Sequence, residues 1–306
     1  MNHYFKGITL AVTGGTLWGL SGVVAQLLFT NPHLSAEWLI STRLFMAGLM
    51  ILTYAFIKKE SIFTWIYHKQ DRRQLIIFSI FGMSAMQYTF FKAIQFTDAS
   101  TATILQYTAP IFIFLFLVLT RKKVFNMTEF FLIILTLIGI VLITTNGQLD
   151  SLTISPRGFL TGVSSAIALA FYLLYPRRIM TKYGTLVVAG WGMLIGGMIF
   201  QLFSPFWQPN VQLTQGELFS LIFVITLGTA VPFIVFLSSL NYLPVTLASV
   251  LSALEPIVAT IFSVWLFHRH FQPAELMGIV LVLITITLLS ILDAKKVKPT
   301  STHRQQ

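Results

Sequence analysis

The run VTLASVLSALEPIVATIFSVWLF, from Val245 to Phe267, admits few structures. Its 23 residues are apolar apart from small hydroxyls and one carboxylate, and as a helix they cross the ~30 Å hydrocarbon core of a bilayer. Glu255 stands at the centre, followed at once by Pro256. At ~100° per residue, Ala248, Ser252, Ala259 and Ser263 share the Glu255 side, and Val250, Leu254, Ile257, Ile261 and Val264 take the other. A carboxylate at that depth costs at least ~2.5 kcal/mol and ordinarily faces a cavity or a partner. Pro256 leaves one backbone carbonyl without its donor, which is tolerated where protein or water satisfies it. The helix is therefore expected to line a water-accessible path with its acid pointing inward.

Nine further stretches of comparable character follow the same rule. The expected spans are 7–28, 35–57, 74–94, 99–119, 127–146, 156–176, 184–204, 217–238, 245–267 and 274–292. Turn formers or charges mark the joints, among them Asn31-Pro32, Lys58-Lys59, Asn146-Gly147, Ser155-Pro156 and Pro273. Of all residues, 56% are hydrophobic and 10% charged, against about 25% charged in a soluble domain. The predicted fold class is an all-α polytopic membrane protein of ten transmembrane helices. Lys6 followed by an apolar run to Phe29 predicts a retained first span rather than a cleaved signal peptide.

Basic residues set the orientation. With the N-terminus inside, sixteen of the twenty Lys and Arg fall in cytoplasmic loops or in the basic tail 293–306, the bias that fixes topology. The exceptions are Arg43, within a span, and Lys92, Arg157 and Arg269 at outer ends. The net charge of +10 thus reflects topology and not nucleic-acid binding. The segment IFTWIY at 62–67 is expected at the interface, with Trp65 and Tyr67 at headgroup level. With no cysteine, the chain forms no disulfides or thiolate sites.

The chain also repeats. A shift of 146 residues places Gly82 on Gly228, Phe90 on Phe236, Ala102 on Ala248, Pro110 on Pro256, Phe125 on Phe271 and Glu129 on Glu275. Two halves of five spans, residues 1–146 and 156–292, must then run in opposite senses through the membrane. Inverted repeats around a midplane site recur in secondary transporters.

The residues carrying the repeat have a further resemblance. FFKAIQFTDASTATILQYTAPIFIFLFLVL (90–119) and FFLIILTLIGIVLIT (130–144) in the first half, and VFLSSLNYLPVTLASVLSALEPIVATIFSVWLF (235–267) and LMGIVLVLITITLL (276–289) in the second, resemble the EamA domain of the drug/metabolite transporter superfamily. Trp18-Gly19 and STRLFMAG around Arg43 and Ala47 resemble it too. The resemblance covers nearly the whole chain as two tandem domains. It implies ten helices in a bacterial inner membrane, both termini cytoplasmic, and export or exchange of small metabolites without ATP. The chain departs from the family at Lys123 and Arg269, which stand where a glutamate is usual.

Candidate cavity residues follow. Glu255 is a candidate to bind a coupling proton, contact an amine or pair with a cation; a protonated, structurally bonded carboxyl is the bland alternative. Arg43 suits bidentate carboxylate binding or neutralisation of Glu255. Helix four offers Ala99, Thr103, Gln106, Tyr107 and Pro110 along one stripe, and Trp18, Ser21, Gln87, Tyr88, Tyr172 and Ser252 are candidate wall residues; for the aromatics, plain packing is as good a reading. Pro110 and Pro256 are the expected helix breaks. Lys92 is expected to snorkel outward. Gly15-x-x-x-Gly19 and Gly192-x-x-x-Gly196 are read as close helix contacts. His268 and His270 are too few to hold a metal, and no cofactor is implied.

The leading function is a secondary transporter exporting or exchanging an amino acid or similar amphipathic solute by alternating access, with a small-molecule substrate and the bilayer as partners. Multidrug efflux in the same fold is the alternative, and a sensor or channel is a further one. The chain holds no His-Glu-x-x-His, no pair of intramembrane aspartates, no histidine within a span and no Gly-x4-Gly-Lys-Ser/Thr loop, which argues against an intramembrane enzyme or a nucleotide-driven pump. Substrate, direction, coupling ion, and monomer or homodimer stay open.

Overall fold

The computed structural model describes residues 2–121, 124–147, 154–207, 212–243, 247–248, 251 and 254–296. Among them every regular element is helical. The long helices are α1 (Asn2–Leu28), α2 (Ala36–Ile57), α3 (Lys69–Phe96), α4 (Ala99–Leu119), α5 (Met127–Thr145), α6 (Pro156–Leu174), α7 (Thr185–Gln201), α8 (Gln215–Ser239), α9 (Leu254–Phe267) and α10 (Pro273–Lys296). A short helix, Arg177–Tyr183, precedes α7 and is bent 118° from it.

Local sequence starts and stops these helices. Ser35 accepts from Trp38 N, Asp98 from Thr101 N and Asn126 from Thr128 N, satisfying first-turn donors. Ser155 caps α6 with Pro156 in its first turn, and Thr214 and Glu217 form a capping box on α8. The joints Lys59, Arg121 and Asn146 adopt positive φ, the left-handed turn that ends a helix.

Among the described residues, seven helices are long and apolar enough to cross a membrane, and an eighth joins them if the bent pair is counted as one span. The stretch expected at 184–204 forms a helix of 17 residues, ended by turns at Leu202 and Phe203. Most of the first half of the 245–267 stretch, including Ser252, lies outside the described residues, so α9 begins at Leu254. Lys123 and the tail beyond 296 lie outside them as well. The third helix starts earlier than the expected 74, at Lys69.

The outer surface is apolar. On α5, Phe131, Leu137, Ile138 and Val141 are exposed while Thr136 and Gly139 are buried. On α9, Pro256, Ala259 and Ser263 are buried and Ile257, Ile261, Val264 and Trp265 exposed. Small side chains inward and bulky ones outward is the pattern of a helix in lipid.

The packing has an order. α2 pairs with α7, and α5 pairs with α10. α1 packs on α8 and α9, while α6 packs on α3 and α4. Exchanging each helix for the one five places along turns α1 on α8 and α9 into α6 on α3 and α4, and leaves the other two pairs unchanged. Both α3 and α8 widen into a π turn, at Phe78–Ser84 and Thr226–Ala230, and these contain Gly82 and Gly228, two of the residues matched by the 146-residue shift. A π turn carries one extra residue and often marks a functional position.

Three glycines of the two pairs, Gly19, Gly192 and Gly196, are in close contact as expected. A Cβ on Gly19 would meet the Glu255 carbonyl at 2.6 Å, one on Gly192 the Phe78 ring at 2.8 Å, and one on Gly196 would collide with Ser84 Oγ. The 62–67 segment is a short 3₁₀ turn over Thr64–Tyr67. Tyr67 is 83% exposed, but Trp65 turns inward onto Trp191, 5.2 Å between ring centres. Trp65 is thus packed against the bundle.

Candidate functional site

α2 carries Arg43 into the bundle, where it is 4% exposed. Its Nε donates to Thr229 Oγ1 at 2.6 Å, and its guanidinium lies 4.4 Å from the centre of the Phe91 ring on α3. Thr229 sits in the π turn of α8 and also donates to Val224 O, five residues back. The cation is thus held by a hydroxyl on one side and an aromatic face on the other, a cation–π arrangement that gains strength when desolvated. Nη1 is buried and has no hydrogen-bond partner among the described residues. A guanidinium presents five donors in a fixed fork, and a buried donor left unmade costs about 1–3 kcal/mol.

Glu255, in the first turn of α9, is half-buried. Its Oε2 accepts from Tyr107 Oη at 3.0 Å. Tyr107 stands at the step in α4 where helix Ala99–Gln106 stops and helix Ala109–Leu119 begins, with Pro110 in the first turn of the second piece. The break expected at Pro110 thus falls at Tyr107–Thr108. Arg43 and Glu255 are close enough to act on each other electrostatically, but each hydrogen-bonds a neutral hydroxyl.

The other expected residues separate into groups. Ser21 is buried, its hydroxyl without a partner among the described residues, and lies against Gly228 in the π turn of α8. Trp18 packs edge-on to Phe233 and against Phe236 of α8, 5.2 and 5.1 Å between ring centres. Gln87 and Gln106 are buried, and Thr103 spends its hydroxyl on Ala99 O at 2.6 Å. Tyr172 packs on Phe78. Tyr88 donates to Glu37 at 3.0 Å. Lys92 pairs with the same Glu37, in the first turn of α2, at 2.8 Å.

Arg269 has a role that the family pattern did not suggest. It pairs with Asp98, the cap of α4, and with Glu275 in the first turn of α10. Close by in the chain, Ser100 and Thr260 share a hydrogen bond of 2.7 Å, and Gln26 Oε1 accepts from Ala99 N at 2.8 Å. Charge and hydroxyl contacts therefore tie α1, α4, α9 and α10 together at one end of the bundle. Asp98 and Thr229 were invisible as site residues in the sequence; the only signal for Thr229 was its place next to Gly228 in the repeat.

Comparison with known proteins adds a lineage to this geometry. A family model described as the EamA-like transporter family matches residues 5–145 and again 156–291. An uncharacterised inner membrane transporter of Salmonella typhimurium, YicL, is 32% identical over 291 residues, covering 95% of this chain and 97% of its own length. The threonine/homoserine exporter RhtA of Escherichia coli K12 is 24% identical over 249 residues, 81% of this chain and 79% of its own. A solved crystal structure 16% identical in sequence superposes with a TM-score of 0.65 over 95% of this chain and 98% of its own, and it shares the fold.

Proposed function

The chain belongs to the EamA-like transporter family, and from that premise we propose that it is a secondary exporter of a small zwitterion, an amino acid or close analogue, working by alternating access. Ten membrane-crossing helices in two inverted halves, 1–146 and 156–292, enclose the path, with both termini cytoplasmic. The helix packing that maps onto itself when the halves are exchanged supports the repeat, and the loop charges support the orientation.

One observation carries the reading of the substrate: the buried Nη1 of Arg43, without an acceptor among the described residues. A carboxylate is the acceptor a guanidinium fork fits best. Glu255, which accepts from Tyr107 Oη, supplies the opposite charge for an ammonium group. The threonine/homoserine exporter among the relatives handles solutes of this class. The deciding experiment is a panel: cells lacking or overproducing the protein, scored for resistance to amino acids and their toxic analogues, then for export of the hits. Overproduction that protects against no zwitterion while protecting against cationic dyes would replace this reading with multidrug efflux.

Glu255 is proposed as the proton carrier as well. In liposomes, Glu255→Gln is expected to remove the response of flux to an imposed pH gradient while exchange of substrate for substrate continues. Full pH-driven flux in that variant would end the proposal.

In the proposed topology the Asp98–Arg269–Glu275 cluster lies at the extracellular end and joins α4 of one half to the α9–α10 hairpin of the other. It acts as a latch on the outward gate. A hydrogen bond to a charged group contributes about 1.5–3 kcal/mol, so its loss should shift gating about tenfold or more. The chain has no cysteine, so Ser100→Cys gives a clean reporter. Labelling of that thiol by an impermeant maleimide is expected to quicken about tenfold when Arg269→Gln is added; equal rates with and without the second change would refute the latch.

A further inference from the structure

At the opposite end of α3 from Asp98 lies a second polar feature, unconnected with Arg43 or Glu255. Asp71 and Phe91 are twenty residues apart on α3, roughly 30 Å along a helix. Here a cleft of about 540 Å³ opens to solvent between the start of α3 and the short helix Arg177–Tyr183, lined by Tyr67, His68, Lys69, Asp71, Arg178 and Lys182 among others. Three of those side chains are cations and one is an acid.

The acid is already spent. Asp71 is 2% exposed; it accepts from Arg178, from Lys182 Nζ at 2.7 Å and from Tyr183 Oη at 2.5 Å. It fixes the two cations from beneath, while their side chains stay 49% and 45% exposed. Arg178 and Lys182 each have donors beyond the one given to Asp71. Lys69 adds a third cation, and the His68 side chain does not cap the N-terminus of α3; its backbone carbonyl accepts from Asp71 N and Arg72 N, which leaves the N–H groups of the cleft residues Lys69 and Gln70 at the positive end of the helix dipole. Fixed guanidinium and ammonium donors beside an uncapped helix start form a receptor for a tetrahedral oxyanion.

The surroundings indicate where that anion comes from. The turn at Thr64–Tyr67 is anchored, since Ile62 O accepts from Trp191 Nε1 of α7 at 2.7 Å and from Trp65 Nε1 at 3.1 Å. It holds Phe63, Ile66 and Tyr67 exposed beside the cleft. A rim of apolar and aromatic side chains next to a cationic cleft matches a headgroup with its acyl chains alongside. We propose that this cleft binds a phosphate group, and that the headgroup of an anionic phospholipid is its source, free phosphate being the other.

The test uses the purified full chain in neutral detergent, with binding read by native mass spectrometry and by the midpoint of thermal unfolding, neither of which depends on transport. Phosphatidylglycerol is expected to bind at least tenfold more tightly than phosphatidylcholine and to raise the midpoint, with Lys69→Gln and Arg178→Gln each removing most of that preference. Lys182→Arg, which keeps the charge, is expected to retain it. Lys69 has no bond to Asp71 among the described residues, so Lys69→Gln remains informative if Arg178→Gln fails to fold. If inorganic phosphate at millimolar concentration competes fully for the site and phosphatidylglycerol has no advantage over it, the phosphate receptor stands and the lipid source is refuted. Equal binding of the two lipids with no effect of phosphate, or an unchanged preference in Lys69→Gln, overturns the proposal.

Discussion

Arg43→Gln is expected to leave a folded protein that has lost most of its transport. Truncating one partner of a buried charge pair costs about 2–5 kcal/mol, so KM should rise about 30-fold or more even at the low end. Glutamine keeps a donor within reach of Thr229, so the 2.6 Å contact to that hydroxyl is replaced rather than left open. Arg43→Lys keeps the charge but not the fork, and its loss should be smaller, about tenfold, because an ammonium binds a carboxylate as a point charge. The double variant Arg43→Gln with Glu255→Gln separates two roles. If Arg43 serves mainly to neutralise Glu255, removing both charges restores flux; if it binds the substrate carboxylate, KM stays high. Proteoliposome uptake of the solute identified in the panel measures all four proteins. A KM within twofold of the parent in Arg43→Gln would remove Arg43 from the binding site.

Much of this architecture was legible because lipid is a strict solvent. Backbone groups must be satisfied within each span, so a long apolar run has one main outcome, a helix. The two faces of α9 follow from the same rule: Ala259 and Ser263 are buried, and Ile257, Ile261 and Val264 face outward, as their spacing predicts. The pairing of Gly82 with Gly228 by the 146-residue shift was legible, and both glycines lie in π turns. The turns themselves were not, because a π turn is a rare single-turn bulge inside an α-helix and neither stretch breaks the helical pattern of the sequence around it. The partners of the charges were not legible either. Arg43 meets Thr229 at a separation of 186 residues and Glu255 meets Tyr107 at 148, and nothing local in the sequence encodes such pairs. Tyr88 is a further case: its place on α3 is read from the sequence, but the partner of its hydroxyl, Glu37, 51 residues away, is not. Arg269 shows it again, since a base in place of the family's acid reads as a broken pair until Asp98 and Glu275 are seen beside it.

The second large effect concerns a single methyl group. α2 and α7 cross with their backbones in contact: a Cβ on Gly197 would collide with Phe45 N and lie 2.6 Å from Phe45 Cα, and one on Gly48 would lie 2.6 Å from Leu194 N. Backbone cannot rotate away as a side chain can, so Gly197→Ala must push the helices apart. Overpacking of this kind costs about 1–3 kcal/mol, occasionally more, and outweighs the ~1 kcal/mol by which alanine favours a helix over glycine. Gly22→Ala tests the balance from the other side. Its Cβ would find Ala99 Cβ at 3.6 Å and Ile94 Cδ1 at 3.7 Å, ordinary contact distances, so the propensity gain is left unopposed. The same substitution should therefore lower the unfolding midpoint in detergent at Gly197 and hold or raise it at Gly22. Because Phe45 is two residues from Arg43 on α2, the displacement at Gly197 also moves the guanidinium relative to Phe91, 4.4 Å away. Flux at low temperature, where the variant is still folded, should then fall together with the midpoint. A Gly197→Ala protein as stable and as active as the parent would mean that α2 and α7 do not approach this closely in the membrane, and that Arg43 does not sit between Thr229 and Phe91.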